Sequence, residues 1–120
     1  MRKYFLWLTT LSWASYTFYL TTIPNFEPTP DTFLNFLLSN CGHFFFFGVL
    51  AILLSLSLPS RIWHLSSVIC ATITTSVYGL MIEFIQRGVP GRTFDLMDWA
   101  LDTVGVVAFL FVFKKLQSRL

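Results

Sequence analysis

A chain of 120 residues that is 55% hydrophobic and only 12% charged is too apolar for an ordinary water-soluble domain, where about 25% of residues carry charge. The net charge of +2 comes from basic residues set singly or in pairs beside apolar segments, not along a solvated face, which argues against a nucleic-acid partner. The expectation is one domain, residues 1–120, whose solvent is the membrane lipid bilayer.

Dividing the chain at its charges, prolines and glycines leaves four apolar segments, residues 4–23, 41–58, 62–85 and 96–113, each close to the roughly 20 residues that cross a hydrocarbon core. Long continuous runs such as 44–56 lack the alternation of a barrel strand, so the fold class is all-α, a polytopic transmembrane bundle of four helices. The first segment follows Arg2 and Lys3 as a signal peptide would, but no small-x-small cleavage pattern follows it, and it reads as an uncleaved helix.

Next comes a loop in which Pro24, Pro28 and Pro30 disfavour regular structure. Residues 32–38 either begin the second helix early or form a short turn on the membrane. His43 stands at the entry to that helix. The run Phe44, Phe45, Phe46 and Phe47 sweeps around it, facing lipid and neighbouring helices in turn.

The third segment opens beside Arg61, Trp63 and His64, which read as interfacial anchors. Along it Ser67, Ala71, Thr75 and Gly79 recur every fourth residue and lead to Glu83, a small-residue stripe that permits close helix approach, makes this helix the expected centre of the bundle and turns Glu83 inward. Cys41 and Cys70 lie at different depths, about 24 Å apart along a helix axis, so no disulfide joins them, and neither has a partner at metal-ligand spacing.

A second loop, residues 87–95, precedes the fourth segment. There Asp95, Asp98 and Asp102 are spaced by three and four residues and share a face if the helix begins near Thr93, with Gly105 continuing it. Glu83 and Gln86 likewise share a face of helix three. Asp102 sits one turn inside the apolar run, where an unpaired carboxylate costs about 2.5–3.5 kcal/mol, so it needs a partner or a proton.

Lysine and arginine distribution sets the orientation: Arg2, Lys3, Arg61, Lys114, Lys115 and Arg119 fall on one side and only Arg87 and Arg92 on the other, so both termini are expected to be cytoplasmic. All six acidic residues, Glu27, Asp31, Glu83, Asp95, Asp98 and Asp102, then lie at or near the external side with His43. Trp7 and Trp63 near inner ends and Trp99 near an outer end fit interfacial belts.

Glu83-x-x-Gln86, Arg92, Asp95-x-x-Asp98, the following Gly105 and the upstream His43 resemble the VanZ family of small membrane proteins over residues 40–107. The resemblance implies a multi-helix bundle of the bacterial inner (cytoplasmic) membrane, associated with glycopeptide (teicoplanin) resistance but with no defined reaction. Two positions depart from the family pattern. Ser39 and Asn40 stand where an Asp-Lys pair is common, and Asp102 where asparagine is usual.

The candidate site is therefore His43, Glu83, Gln86, Arg92, Asp95, Asp98 and Asp102, and it leaves three functions open. It binds an anionic lipid headgroup or cell-wall precursor without turnover. Alternatively it belongs to an enzyme acting on a lipid-linked phosphate, with Arg87, Arg92 and the backbone of residues 88–91 holding the phosphate at the start of helix four and His43 exchanging a proton with Glu83. In a variant of that reading Glu83, Asp98 and Asp102 share a divalent cation bound to the phosphate. The third reading is a structural clamp, in which Arg87 and Arg92 neutralise Asp95 and Asp98 while Thr93 or Asp95 caps helix four. No resident cofactor or metal is expected, and no catalytic residue is assigned.

Overall fold

The computed structural model describes residues 1–58 and 65–120 and contains four helices: α1 (Arg2–Thr22), α2 (Thr32–Ser57), α3 (Leu65–Gln86) and α4 (Leu96–Gln117). The expected anchors Arg61, Trp63 and His64 lie outside the described residues. α2, α3 and α4 are each long and apolar enough to span a membrane. α1 is more polar, yet Thr9, Thr10, Thr17, Thr21 and Thr22 each return a hydroxyl hydrogen bond to the carbonyl four residues earlier, so these polar groups are satisfied within the helix.

The second helix begins nine residues before the apolar segment read from the sequence, because Asp31 caps it by accepting from the Leu34 amide at 2.8 Å. Of the two readings of residues 32–38, the early helix start is the one observed. Its 26 residues extend about 39 Å, longer than a hydrocarbon core of about 30 Å, so α2 carries polar residues beyond the span.

Burial is inverted relative to a water-soluble protein. Phe5, Phe36, Val77 and Phe111 are each at least 60% exposed, whereas Glu83 and Asp102 are 0% exposed. The apolar core is small, built from Phe47, Ala51, Ala71, Ile82, Val106 and Leu110. The four-residue stripe is buried throughout, from Ser67 to Glu83, as its spacing predicts.

Helix three touches each of the other helices, but it shares the centre with α2, whose contact with α4 is the most extensive in the bundle. That contact depends on glycines. A Cβ on Gly105 would enter the Phe44 backbone, and one on Gly48 would lie 2.5 Å from the Phe109 ring. The phenylalanine run divides its roles as expected: Phe45 is half exposed, Phe46 stacks on Trp13, and Phe47 is buried.

Contacts between Thr10 and Ser57, Trp13 and Phe46, and Ser76 and Thr103 run antiparallel, while those of α1 with α3 and of α2 with α4 run parallel. This up-down order brings the loop after α1 and the loop after α3 to one end. There the Asn25 amide donates to the Pro90 carbonyl at 2.9 Å. Asn25 and Gly91 both take positive φ, 49° and 76°, and pack so closely that a Cβ on Gly91 would collide with the Asn25 side chain.

Candidate functional site

At the same end of the bundle, three helices deliver the polar side chains. α2 supplies His43, α3 supplies Glu83 and Gln86, and α4 supplies Asp98 and Asp102. His43 Nδ1 and Asp102 Oδ1 share a hydrogen bond of 2.7 Å, and His43 Nε2 lies 3.8 Å from Asp98 Oδ2. The imidazole stacks parallel to Phe47, with ring centroids 6.2 Å apart and an interplanar angle of 3°, so its orientation is fixed by packing as well as by Asp102.

The bare backbone of Gly79 makes room for this pair: a Cβ there would stand 2.8 Å from Asp102 Oδ2. The small-residue stripe and the acidic face of helix four, seen separately in the sequence, therefore meet at one point.

Glu83 Oε2 accepts the Asp95 backbone amide at 3.0 Å and so ties the end of α3 to the start of α4. Gln86 leaves the cluster altogether and donates through Nε2 to the Thr21 carbonyl at 2.7 Å, closing the end of α1.

Asp95 is not on the shared helical face. The helix begins at Leu96, and Asp95 is its cap, with extended backbone and a carboxylate that accepts the Met97 amide at 2.8 Å. Of the two caps considered from sequence, Asp95 is the one observed. Asp98 and Asp102 keep the common face, half-exposed and buried respectively.

The two arginines diverge. Arg92 donates from Nε to the Ile23 carbonyl at 3.2 Å and from Nη2 to the Leu20 carbonyl at 3.1 Å, where its charge complements the carboxyl end of α1, and its guanidinium lies over the Phe26 ring. Arg87 lies over Phe84 and Phe94. Among the described residues neither arginine forms a direct ion pair with Asp95 or Asp98, so the expected Arg–Asp ion-pair cluster is not built, although Arg92 and Asp98 still act on each other through their fields. The two arginines contact different groups, Arg87 the Phe84 and Phe94 rings and Arg92 the end of α1, while Asp95 caps α4 and Asp98 lies in its first turn. Burial lowers the pKa of Arg92 from its ordinary value, against the opposing fields of Asp98 and Glu83, and the guanidinium remains charged.

Beside the cluster lies a cavity of about 430 Å³ between α1 and α2, roofed by the proline-rich loop. Leu20, Leu38, Phe46 and Phe47 give it apolar walls, and His43, Asn35, Glu27 and Arg92 bring polar groups to it. His43 is thus shared: one ring nitrogen is bonded to Asp102, while the residue also lines the cavity. Neither this cavity nor the contributions of Phe26, Glu27 and Asn35 have a clear signature in the sequence. The acidic Glu27 in an irregular loop is the one signal it offers, and Asn35, whose side-chain oxygen fastens the loop by accepting from the Thr29 backbone amide at 3.0 Å, has no distinctive spacing.

Trp99, read as an interfacial residue, donates from Nε1 to the Ser76 carbonyl at 3.1 Å and so also joins α4 to α3. Cys41 and Cys70 are free and exposed, in agreement with their difference in depth.

A family model described as VanZ/LLP1 matches residues 3–117, a wider span than the motifs alone. No curated protein and no solved structure matches the chain.

Proposed function

The chain belongs to the VanZ/LLP1 family, and from that premise we propose that it is a binding protein of the bacterial cytoplasmic membrane, with both termini inside, that takes up an anionic envelope lipid or lipid-linked cell-wall precursor at its outer end. The observation that carries this reading is the cavity of about 430 Å³, which falls in the range of small-molecule sites. Its apolar walls suit an acyl or prenyl chain, and Arg92 and His43 suit a phosphate. Sequestering such a molecule at the cell surface is the link we draw to glycopeptide (teicoplanin) resistance.

The test uses full-length protein in detergent, with retained phosphatidylglycerol and phosphatidylcholine compared by native mass spectrometry. Preferential retention of phosphatidylglycerol, lost in Arg92→Gln protein of unchanged helical content, is the expected result. Equal retention of both lipids, or retention indifferent to Arg92, counts against it. Sidedness has its own measurement: with Cys41 and Cys70 replaced, an impermeant thiol reagent applied to intact cells labels a cysteine at Val89 and leaves one at Gln117 unlabelled. The reverse pattern puts the site on the cytoplasmic face.

A second reading, an enzyme acting on a lipid-linked phosphate, is favoured by the His43–Asp102 pair at the cavity wall, an arrangement that orients an imidazole for proton transfer. Turnover of a labelled lipid phosphate that stops in His43→Gln protein separates it from simple binding.

A further inference from the structure

The buried half of the site has an electrostatic problem that its own hydrogen bonds do not solve. Glu83 and Asp102 are both 0% exposed, yet Glu83 Oε1 and Asp102 Oδ2 have no hydrogen-bond partner. Among the described residues, the ion pairs at this cluster involve His43 alone, and Arg92 is engaged with the carbonyls at the end of α1. The Arg92 field reaches Glu83 and Asp98 but Arg92 makes no direct ion pair with them, and buried carboxylates short of a full set of donors are costly inside a membrane bundle.

His43, Glu83 and Asp102 each offer one ligand atom, and the three atoms lie within 4.8 Å of one another. We propose that these three residues form a binding site for one divalent first-row transition-metal ion, with Asp98 beside it. One dication with two carboxylates and a neutral imidazole leaves no net charge in the apolar interior. It also gives the two orphaned oxygens a function.

The mixed nitrogen and oxygen donors indicate the class of ion. An imidazole among carboxylates suits zinc and its first-row neighbours, whereas magnesium and calcium prefer oxygen alone. Metal–ligand distances of about 2.0–2.2 Å set tetrahedral donors about 3.3–3.6 Å apart, so metal binding draws donors that stand within 4.8 Å together by up to about 1.5 Å. The imidazole is already held by Phe47, and Gly79 leaves the backbone of α3 close to Asp102, so the remaining ligands stand on rigid helices.

This proposal does not depend on the lipid reading. It is tested on tag-free, full-length protein carrying Cys41→Ser and Cys70→Ser, stripped with chelator and titrated with Co²⁺ followed by visible absorption. The expected result is one equivalent bound per chain, with bands of a nitrogen- and oxygen-ligated ion, displaced by Zn²⁺ but not by Mg²⁺. The near-isosteric changes Glu83→Gln and Asp102→Asn each weaken binding by more than about 100-fold, beyond what loss of an outer-shell partner does. Thermal unfolding of the unaltered cluster with and without Zn²⁺ provides a readout that needs no variant, and Zn²⁺ raises the midpoint. Absence of stoichiometric Co²⁺ binding, binding that survives both substitutions, displacement by Mg²⁺, or a midpoint indifferent to Zn²⁺ would each overturn the assignment.

Discussion

The two flanks of His43 solve the problem of polar groups in a membrane bundle in opposite ways. On the α1 side the ties are neutral or meet backbone carbonyls: Thr10 with Ser57, Trp13 Nε1 to Phe46, Tyr78 to Ala14 and Gln86 to Thr21. On the α4 side the ties are ionisable, with His43, Asp98, Asp102 and Glu83 brought together beneath close glycine contacts. The neutral ties can be lost one at a time. The ionisable cluster acts as a unit, because removing one member leaves the others buried without compensation.

The largest effect should therefore come from breaking that unit. His43→Ala deprives Asp102 of its hydrogen bond, and loss of about 3–5 kcal/mol is expected in an unfolding titration of the purified protein. Joint replacement by His43→Leu and Asp102→Leu should recover the part of that loss owed to an unpaired Asp102, since apolar side chains often replace a buried pair without penalty, while Glu83 and Asp98 still lack His43. If the double variant is as unstable as the single one, the pair contributes net stability and the contrast between the two flanks is weaker than drawn.

Gly105→Ala comes next, at about 1–3 kcal/mol, because the added methyl meets the Phe44 backbone, which cannot swing aside as a side chain can. The smallest change is on the neutral flank. Tyr78→Phe removes one hydrogen bond to the Ala14 carbonyl and should cost about 0.6 kcal/mol, the typical value for such bonds between membrane helices. A loss from Tyr78→Phe as large as that from His43→Ala would break the comparison.

What could be read from sequence follows the same division. The four helices were legible because apolar run length is dictated by the hydrocarbon thickness, and Glu83, Asp98 and Asp102 were legible because helical spacing places them on inward faces. Sequence leaves the start of α2 open because Asp31 acts through a cap, a signal one residue wide in a loop rich in prolines. Spacing alone places Asp95 either on the acidic face or at the cap, and because the helix starts one residue later the carboxylate is used to cap the Met97 amide. Sequence offers Arg92 charged partners, aspartates or a phosphate, because opposite charges are visible there, whereas the carbonyls at the end of α1 that hold it belong to residues of no distinctive type. The cavity depends on how the loop after α1 folds over α2, and no periodicity encodes that.

The latch between Asn25 and Pro90 also bears on the order in which the protein is made. Once α1 and α2 have been made, ties such as Thr10 to Ser57, Trp13 to Phe46 and the rings of Tyr16 and Phe46 can already join them. Tyr78, Gln86, Pro90 and Arg92, which fasten the far end of α1, are synthesised later. The far end of α1 therefore gains these fastenings only after residues 78–92 have been made, and the cavity beneath the proline-rich loop gains its Arg92 wall at the same stage.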